Sequence, residues 1–318
     1  MKVSLVMTLL NEERSLRLLL DSVVAQTRPP DEVVIVDGGS QDDTMRLAES
    51  FKDRLHLRLL SVPGANISRG RNMAIAEARG EIIACTDGGV RLHADWLSKL
   101  VKPFETCPET DVVAGFFQAD VYTDFELAMG ATVLPVVDEI APERFLPSSR
   151  SVAFRKDAWL KVGGYPEWLD YCEDVIFDLA LRRLGLGFAW APEAVVYFRP
   201  RSNLRSFFLQ YYHYARGDGK ANLWQRRHAI RYGSYAAGVG LLAAGFQWPA
   251  FWALLAIGTI GYLQRPYRRL WRSLAGLAFR RRLGALLLVP VIRVTGDIAK
   301  MLGYPVGLRW RRRNFHGQ

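Results

Sequence analysis

Two patterns of apolar residues alternate along the first 105 positions, one typical of strands and one typical of helices. Short runs of largely apolar, partly branched residues, such as Val3 to Leu10 and Glu32 to Val36, are typical of buried strands. Between them, Glu13 to Ala25 has apolar residues every three or four positions, which predicts an amphipathic helix. Strands that alternate with helices at this spacing predict a parallel sheet with right-handed crossovers. The pattern therefore indicates an α/β fold, in which ligands bind at the carboxyl ends of the strands.

The same periods extend this prediction towards residue 198. Further strands are expected at Leu55 to Leu60, Glu81 to Thr86, Asp111 to Phe117, Ser151 to Phe154 and Val195 to Phe198. Further helices are expected at about Asp42 to Phe51, Ser68 to Ala78, Phe125 to Ile140 with a bend near Pro135, Asp157 to Val162 and Glu173 to Leu184.

The charge balance changes at Arg199. From this residue onward the chain carries 21 basic and two acidic residues, a net charge of +19, whereas residues 1 to 198 carry 21 basic and 30 acidic residues, a net charge of −9. Such a tail suits anionic lipid or nucleic acid, and the acidic front part suits neither. A helix rich in aromatic residues is expected from about Asn203 to Ala215, ended by the glycine-containing segment Arg216 to Lys220.

An uncharged run of 33 residues, Tyr232 to Gln264, follows within the basic tail. One straight helix of this length would measure about 50 Å, against about 30 Å for the hydrocarbon core of a bilayer. Arginines flank the run on both sides and Pro249 lies near its middle, so a membrane hairpin, re-entrant or spanning, is predicted. A buried pair of soluble helices is the alternative. Leu283 to Leu302 is predicted to be an interfacial helix.

Two further observations concern compartment and partners. The three cysteines are widely spaced and form no CxxC pair, which indicates neither a disulfide framework nor a zinc site. Asn11 interrupts the first apolar run before a signal peptide can form, so the front part is expected in the cytoplasm. Because the basic residues are interleaved with the uncharged run, membrane lipids are expected as partners and nucleic acid is not.

Two of the expected strands end in the same triplet. Asp37-Gly38-Gly39 follows the strand Glu32 to Val36, and Asp87-Gly88-Gly89 follows the strand Glu81 to Thr86. A carboxylate at the mouth of a buried strand, followed by residues that let the backbone approach a ligand, is typical of a nucleotide site. Asp37 can accept a hydrogen bond from the imide N–H of a pyrimidine. Its alternative role is a cap with Ser40.

Three other residues are candidates for the same pocket. Thr8 and Glu12 lie at the neighbouring strand mouth and are expected to line the base pocket. Arg71 opens a helix, where a guanidinium and free backbone N–H groups can meet a base edge or a phosphate. A solvated arginine is the alternative.

These motifs, in this order, resemble the family 2 glycosyltransferases over roughly residues 3 to 220. The resemblance rests on Asn11-Glu12-Glu13, Val36 to Ser40 with Asp43-Thr44, Arg71-Asn72 before Ala78 to Glu81, Asp87-Gly88-Gly89, and Glu173-Asp174. It implies the GT-A fold, a Rossmann-like and mostly parallel sheet flanked by helices, here with a C-terminal α-helical, membrane-associated region.

The resemblance also implies an activity. Members are inverting enzymes, and this chain is expected to transfer a sugar from a nucleotide-diphosphate sugar to a glycan or lipid-linked acceptor at the cytosolic membrane face, in cell-envelope polysaccharide synthesis. A UDP-sugar is the expected donor. A catalytically impaired nucleotide-sugar-binding or scaffold protein of the same fold is the alternative.

The resemblance assigns roles residue by residue. Asp174 corresponds to the catalytic base, and Glu173 beside it is expected to raise its proton affinity through like charge; a pair of acids stabilising a helix N-terminus is the alternative. The expected nucleotide-binding residues are Thr8, Glu12, Asp37, Arg71, Asp87, Gly88 and Gly89. The expected acceptor or diphosphate residues are Glu173, Arg199, Arg201, Tyr214 and Lys220.

The chain departs from the family at its metal motif. Relatives commonly hold Mg²⁺ or Mn²⁺ with the second aspartate of an Asp-x-Asp motif and often a histidine after the last strand. Here Gly89 and Phe198 occupy these positions, which leaves Asp87 as the single candidate ligand. Metal independence is one expectation, with Arg91, Arg199 and Arg201 meeting the diphosphate instead. The alternative is that these arginines are surface or lipid-facing charges.

Five segments follow from these patterns. Residues 1–200 are predicted to form the glycosyltransferase domain, with a nucleotide-binding half at 1–105 and an acceptor half at 106–200. The remaining predicted segments are an aromatic and basic helix with a linker at 201–231, a hydrophobic membrane hairpin at 232–264, and a basic amphipathic region at 265–318.

Overall fold

An eight-stranded mixed sheet forms the centre of the first of two units in the computed structural model, which describes residues 1–315. This first unit, unit 1, comprises Met1–Asp120 and Val137–Arg199. The second, unit 2, comprises Val121–Val136 and the described residues from Pro200 onward, and it is built from helices.

The sheet of unit 1 has a parallel half and a mixed half. Its strands are β1 (Val3–Leu9), β2 (Glu32–Asp37), β3 (Leu57–Ser61), β4 (Ile82–Cys85), β5 (Val90–Leu92), β6 (Thr110–Ala119), β7 (Val152–Arg155) and β8 (Gly187–Phe198), in the order β3-β2-β1-β4-β7-β6-β8-β5. The first four strands in this order are parallel, as expected. Strand β7 runs antiparallel to β4 and β6, β5 runs antiparallel to β8, and β6 pairs in parallel with β8. The predicted α/β fold is confirmed.

The central strands are apolar on both faces because helices cover both faces. In β1, Leu5 and Met7 point into one hydrophobic cluster and Val6 points into another. The helices of the described chain up to residue 183 are α1 (Leu16–Val24), α2 (Thr44–Glu49), α3 (Ile67–Glu77), α4 (Trp96–Thr106), α5 (Asp124–Val133), α6 (Lys156–Val162) and α7 (Glu173–Arg183). Strand β5 and helix α4 were not predicted.

Helix α5 belongs to unit 2 and is shorter than predicted. A helix was expected up to Ile140 with a bend at Pro135, but α5 ends at Val133. The residue before a proline is pushed out of the helical region, and Leu134 has the extended angles φ −90° and ψ 141°. Ala128 and Met129 of α5 are buried in the hydrophobic cluster of unit 2.

The other helices of unit 2 are α8 (Leu204–Lys220), α9 (Gln225–Gly245), α10 (Ala250–Ser273) and α11 (Phe279–Asn314). Helix α8 was expected to end near Ala215, since Gly217 and Gly219 suggest a turn, yet it continues to Lys220. A Cβ at Gly219 would lie 2.3 Å from the backbone oxygen of Tyr304 in α11. Gly219 therefore lets two helix backbones touch, which is a packing role and not a turn.

Helix α11 is also different from the prediction, which placed an interfacial helix at Leu283 to Leu302. It runs for 36 residues, and Val289 and Ile292 on one face are buried in the cluster with Phe207 of α8. Leu287 and Val291, on another face, are exposed. Part of the apolar character of this segment therefore serves the core of unit 2.

The uncharged run is divided between two helices that meet around Pro249, the residue before α10. The part in α9 consists largely of glycine and alanine, and α10 continues into Arg265 and Arg268. Within residues 1–315, no helix is both long enough and apolar enough to cross a bilayer. The predicted transmembrane helix is therefore not supported.

Candidate active site

The parallel strands of unit 1 bring the predicted nucleotide residues to one edge of the sheet. Asp37 ends β2, where it is in register with Leu9 of β1, and Asp87 follows β4 by two residues. A Cβ on Gly88 would come within 3.0 Å of the Glu12 side chain, so these two segments are in close contact. Residues from three separate strand ends thus converge, as the sequence predicted.

Thr8 has a packing role at this edge. A Cβ on Gly70 of α3 would lie 2.7 Å from the Thr8 Cγ2 atom. The helix that carries Arg71 therefore approaches β1 closely because residue 70 has no side chain. This close approach determines how far Arg71 lies from the ends of the strands.

Asp37 shapes the loop that follows it. Its Oδ2 accepts hydrogen bonds from the N–H groups of Gly39 and Ser40, both at 2.9 Å, and its Oδ1 accepts one of 2.5 Å from the Ser40 hydroxyl. Gly39 has φ +102°, a conformation that favours glycine. These bonds close a turn from Asp37 to Ser40 but cap no helix, because α2 begins at Thr44 with Asp43 at its N-cap. The helix cap that the sequence left as an alternative is therefore not formed, and the nucleotide role of Asp37 stays a prediction.

Arg71 joins two of the predicted motifs. Its side chain is 2 % exposed, its Nη1 donates a 2.7 Å hydrogen bond to Glu173 Oε1, and its Nη2 donates a 2.8 Å hydrogen bond to Asp87 Oδ1. The alternative of a solvated arginine is therefore wrong. Asn66 starts α3 by capping it, since its side chain accepts a hydrogen bond from the Arg69 N–H. The buried guanidinium fixes the spacing between the strand-end carboxylate and the acid pair of α7.

Glu173 and Asp174 open α7, directly after Cys172 in a left-handed conformation. Burial raises the pKa of Asp174 above its ordinary value, and the positive charge of Arg71 opposes this shift. Burial also raises the pKa of Glu173, with the charge of Asp174 as the second cause. The pKa of Asp174 is thus raised, as expected, but burial is the main cause and the charge of Glu173 is not among the main causes; the effect of like charge falls on Glu173 instead. A carboxylate with a raised pKa suits general base catalysis.

Arg150 is a member of this cluster that sequence reasoning missed. Its Nε lies 3.5 Å from Asp87 Oδ2, and its guanidinium lies 5.0 Å from the centre of the Phe198 ring. Its backbone oxygen accepts a 3.0 Å hydrogen bond from the hydroxyl of Thr86. The sequence shows that residue 150 lies just before a strand. It does not show that this strand, β7, pairs antiparallel with β4, and this pairing is what brings Arg150 to Asp87.

The donor set around Asp87 does not fit a divalent cation. Mg²⁺ and Mn²⁺ favour carboxylate, carbonyl and water oxygens, whereas both oxygens of Asp87 face guanidinium groups, those of Arg71 and Arg150. The positions that carry further ligands in relatives hold Gly89 and Phe198. In residues 1–315, no group of three or more histidine, cysteine, aspartate or glutamate residues is arranged to hold a metal ion.

Two of the arginines that the sequence proposed for the diphosphate belong to unit 1 and are exposed. Arg91 is exposed, stacks at 4.3 Å over Tyr197 and lines a surface cavity of about 540 Å³ with Leu18 and other residues. Its role towards the diphosphate stays a prediction. Arg199 is exposed at the end of unit 1.

Three predicted residues belong to unit 2. Arg201 is exposed, and the Tyr214 hydroxyl accepts a 2.8 Å hydrogen bond from Gln210. Lys220 is buried, with its ammonium 4.7 Å from the centre of the Trp310 ring. Their roles towards acceptor or diphosphate stay predictions.

The mixed sheet flanked by helices, with carboxylates at the ends of its parallel strands, has the fold of the GT-A class of glycosyltransferases. The mannosyltransferase PcManGT from Pyrobaculum calidifontis, solved with GDP-Man and Mn²⁺, has a similar fold, with a TM-score of 0.64 at 22 % identity over 91 % of this chain and 87 % of that chain. Residues 4–147 match Glycosyl transferase family 2.

Relatives of established name are glycosyltransferases. Glucosyl-dolichyl phosphate glucuronosyltransferase of Haloferax volcanii is 28 % identical over 52 % of this chain and 56 % of its own length. O-antigen chain rhamnosyltransferase RfbN of Salmonella typhimurium is 24 % identical over 65 % of this chain and 71 % of its own length. The chain thus spans little more than half of the first of these relatives.

Proposed function

We propose that this protein transfers a single sugar, with inversion, from a nucleotide-diphosphate sugar to the hydroxyl of a glycan or to a lipid-linked acceptor. The observation that carries the proposal is the buried link from Asp87 through Arg71 to Glu173, which sets the acid pair of α7 beside the strand ends. The names of the relatives, which include a dolichyl phosphate-linked and an O-antigen enzyme, support an acceptor of this class.

In the proposed reaction, an acceptor oxygen attacks the anomeric carbon of the donor sugar. Asp174 takes the proton of the acceptor hydroxyl, the bond from the anomeric carbon to the diphosphate oxygen breaks, and the electron pair leaves with the nucleoside diphosphate. The strand-end residues Thr8, Glu12, Asp37 and Gly88 would bind the nucleoside. Glu173 would orient Arg71, and through it Asp87, towards the donor. UDP is the proposed nucleotide, and GDP is the competing one because PcManGT is bound to GDP-Man.

The test of the proposed function is the variant Asp174→Asn. It keeps the size of the side chain and removes the base, so we expect transfer to be lost while the affinity for the nucleoside diphosphate is retained. Asp157→Asn, an exposed acid in the first turn of α6, is the matched control and should leave transfer unchanged. Turnover of the Asp174→Asn variant at the wild-type rate would refute the assignment.

We also propose that unit 2 attaches the protein to the cytoplasmic face of a membrane. Its helices expose apolar side chains, among them Phe246 and Trp248 at the turn between α9 and α10. The tail carries a net charge of +19, and basic residues near an anionic leaflet contribute about 1 kcal/mol each. The expected attachment lies at the surface, because insertion of exposed aromatic side chains needs no crossing helix.

Vesicle flotation tests this attachment. The wild-type protein should float with vesicles that contain an anionic phospholipid and much less with vesicles of neutral lipid alone. The double variant Phe246→Ser and Trp248→Ser should float less with the anionic vesicles, whereas the variant Leu160→Ser, at an exposed position of unit 1, should behave as the wild type. Equal flotation with both kinds of vesicle would contradict an electrostatic attachment.

A nucleotide-sugar-binding protein without transferase activity is the second candidate, favoured by the glycine at position 89 in place of a carboxylate. Slow hydrolysis of the donor in the absence of acceptor discriminates between the two. An enzyme transfers the sugar to water at a low rate, and this rate falls in the Asp174→Asn variant. A binding protein shows no hydrolysis above the uncatalysed rate.

A further inference from the structure

We propose that Arg150 binds the diphosphate of the donor in this chain and takes the place of the divalent cation that relatives use. The inference rests on the proposed function, since it assumes a nucleoside diphosphate as the donor's leaving group. It assigns a task to a residue outside the recognised motifs of the chain.

The position of Arg150 is fixed by contacts on several sides, and its Nη1 also donates a 3.1 Å hydrogen bond to the Ser148 hydroxyl oxygen. The Thr86 hydroxyl binds its backbone oxygen at 3.0 Å, Asp87 Oδ2 faces its Nε at 3.5 Å, and the Phe198 ring lies 5.0 Å from its guanidinium. Thr86 and Asp87 follow β4, while Arg150 precedes the antiparallel strand β7, so the pairing of these strands holds both ends of the contact. The guanidinium is therefore placed at the strand ends where the diphosphate of a bound donor is expected.

Two substitutions that remove metal ligands are accounted for by this arrangement. Phe198 stands where relatives often have a histidine, and its ring instead forms a cation–π contact with Arg150. Asp87, the remaining carboxylate of the metal motif, is directed at two arginines. Gly89 leaves open space, since a Cβ there would meet only the Glu12 carboxylate at 3.8 Å. A positive charge belonging to the chain lies where a cation would otherwise be recruited.

The two arginines differ in what they can reach. Arg71 is 2 % exposed and is enclosed between Glu173 and Asp87, so its charge is shared by two carboxylates inside the protein. The Arg150 side chain is 25 % exposed, and its distance of 3.5 Å from Asp87 is longer than a strong charge-assisted hydrogen bond. Arg150 is therefore the more exposed member of the pair, and a solvent-side anion would compete for its Nη1 donor with a neutral hydroxyl, that of Ser148.

The chemistry of the leaving group matches a guanidinium. When the bond to the anomeric carbon breaks, the electron pair stays on the terminal phosphate oxygen, which gains one negative charge. A fixed positive group in a partly dry site stabilises this charge as it develops, and its parallel N–H donors can bind two phosphate oxygens at once. The proton of the acceptor goes to Asp174, so Arg150 changes neither its charge nor its covalent state.

The experiment combines chelation with nucleotide binding on the full-length chain. After exhaustive treatment with EDTA, the wild-type protein should keep its transfer rate, and calorimetry should show unchanged affinity for UDP or GDP. Arg150→Gln should lower the affinity for the nucleoside diphosphate about tenfold while leaving that for the nucleoside unchanged. It should also lower kcat/KM about 10²-fold. Arg150→Lys should retain part of the affinity, because a point charge remains.

The control is Arg144→Gln, at an exposed arginine between α5 and β7, which should leave binding and turnover unchanged. Thermal midpoints of all variants separate binding effects from unfolding. Loss of activity on chelation, restored by Mn²⁺ or Mg²⁺, overturns the proposal, and so does wild-type diphosphate affinity in Arg150→Gln. Diphosphate binding that depends on Arg150 without any transfer would refute the transferase function alone. Absence of diphosphate binding would overturn both.

Discussion

Arg71 and Glu173 lie 102 positions apart in the chain, and Nη1 of the first donates a 2.7 Å hydrogen bond to Oε1 of the second. Both side chains are buried, so each charge depends on the other for its stability inside the protein. Because Arg71 also binds Asp87, one guanidinium connects α3, the end of β4 and the start of α7. The proposed base and the proposed donor site are held together by this contact.

Replacing Arg71 by methionine should destabilise unit 1. The variant leaves Glu173 buried without its partner, and breaking a buried ion pair from one side costs about 3 to 5 kcal/mol. The free energy of unfolding, measured by urea denaturation at neutral pH, should fall by about this amount. Arg69→Met, at an exposed arginine two residues earlier, should change it by less than about 0.5 kcal/mol. Equal effects at both positions would contradict the link between α3 and α7.

Asp178 should make the protein less stable as the pH rises. Its side chain is buried, its Oδ2 has no hydrogen-bond partner among the described residues, and burial raises its pKa well above the ordinary value. The folded state therefore binds more protons than the unfolded state above about pH 4, and stability falls with pH from there towards the raised pKa.

The variant Asp178→Asn removes this titration. Its urea midpoint should be close to that of the wild type near pH 4 and higher than that of the wild type at pH 8. Asp157→Asn should show no such divergence, because residue 157 is exposed. A wild type that is favoured over Asp178→Asn at pH 8 would mean that Asp178 is charged in the folded protein.

The contact between α8 and α11 depends on glycines. A Cβ on Gly303 would lie 2.2 Å from the backbone oxygen of Tyr212, and one on Gly307 would lie 2.1 Å from that of Arg216. Alanine at either position should therefore force the helices apart and cost about 1 to 3 kcal/mol, or more, of folding free energy. Thermal or urea unfolding of Gly303→Ala and Gly307→Ala measures this.

Gly233 in α9 is the matched control for these two variants. It has open space around its missing side chain, and alanine is a better helix former by about 1 kcal/mol. Gly233→Ala should therefore be neutral or stabilising. Destabilisation of the same size at all three positions would show that these sites need the backbone conformation of glycine and not the close packing of two helices.

Asp297 should be a stabilising residue of unit 2. Its Oδ1 accepts a 2.8 Å hydrogen bond from Arg231 Nε, and its Oδ2 accepts one of 2.7 Å from the Tyr262 hydroxyl. Asp297→Ala leaves the half-buried Arg231 without its partner and should cost about 3 kcal/mol. Tyr262→Phe removes one hydrogen bond and should cost about 1 kcal/mol. Calorimetric unfolding of both variants measures the two losses of folding free energy. A larger loss for Tyr262→Phe than for Asp297→Ala would contradict this assignment.

The local pattern of apolar and polar residues was enough to predict the class of fold and to identify several candidate site residues. The alternation of apolar strands with amphipathic helices predicts β1 to β4 and their parallel direction, because burial on both faces of the sheet requires both periods in the sequence. The position of Asp37 and Asp87 at strand ends follows from the same pattern. Arg71, Glu173 and Asp87 were each recognised, although their direct contact was not.

Features that depend on long-range contact were missed or misread. Arg150 became a candidate only when antiparallel pairing set β7 beside β4, which no local period reports. Gly217 and Gly219 suggest a helix end in the sequence, and only the approach of α11 shows that Gly219 allows two helices to pack. The apolar character of α11 likewise divides between a core face and an exposed face. Hydrophobic periodicity records that a residue avoids water, whereas its neighbours, and so its charge partners and its chemistry, depend on how distant segments meet.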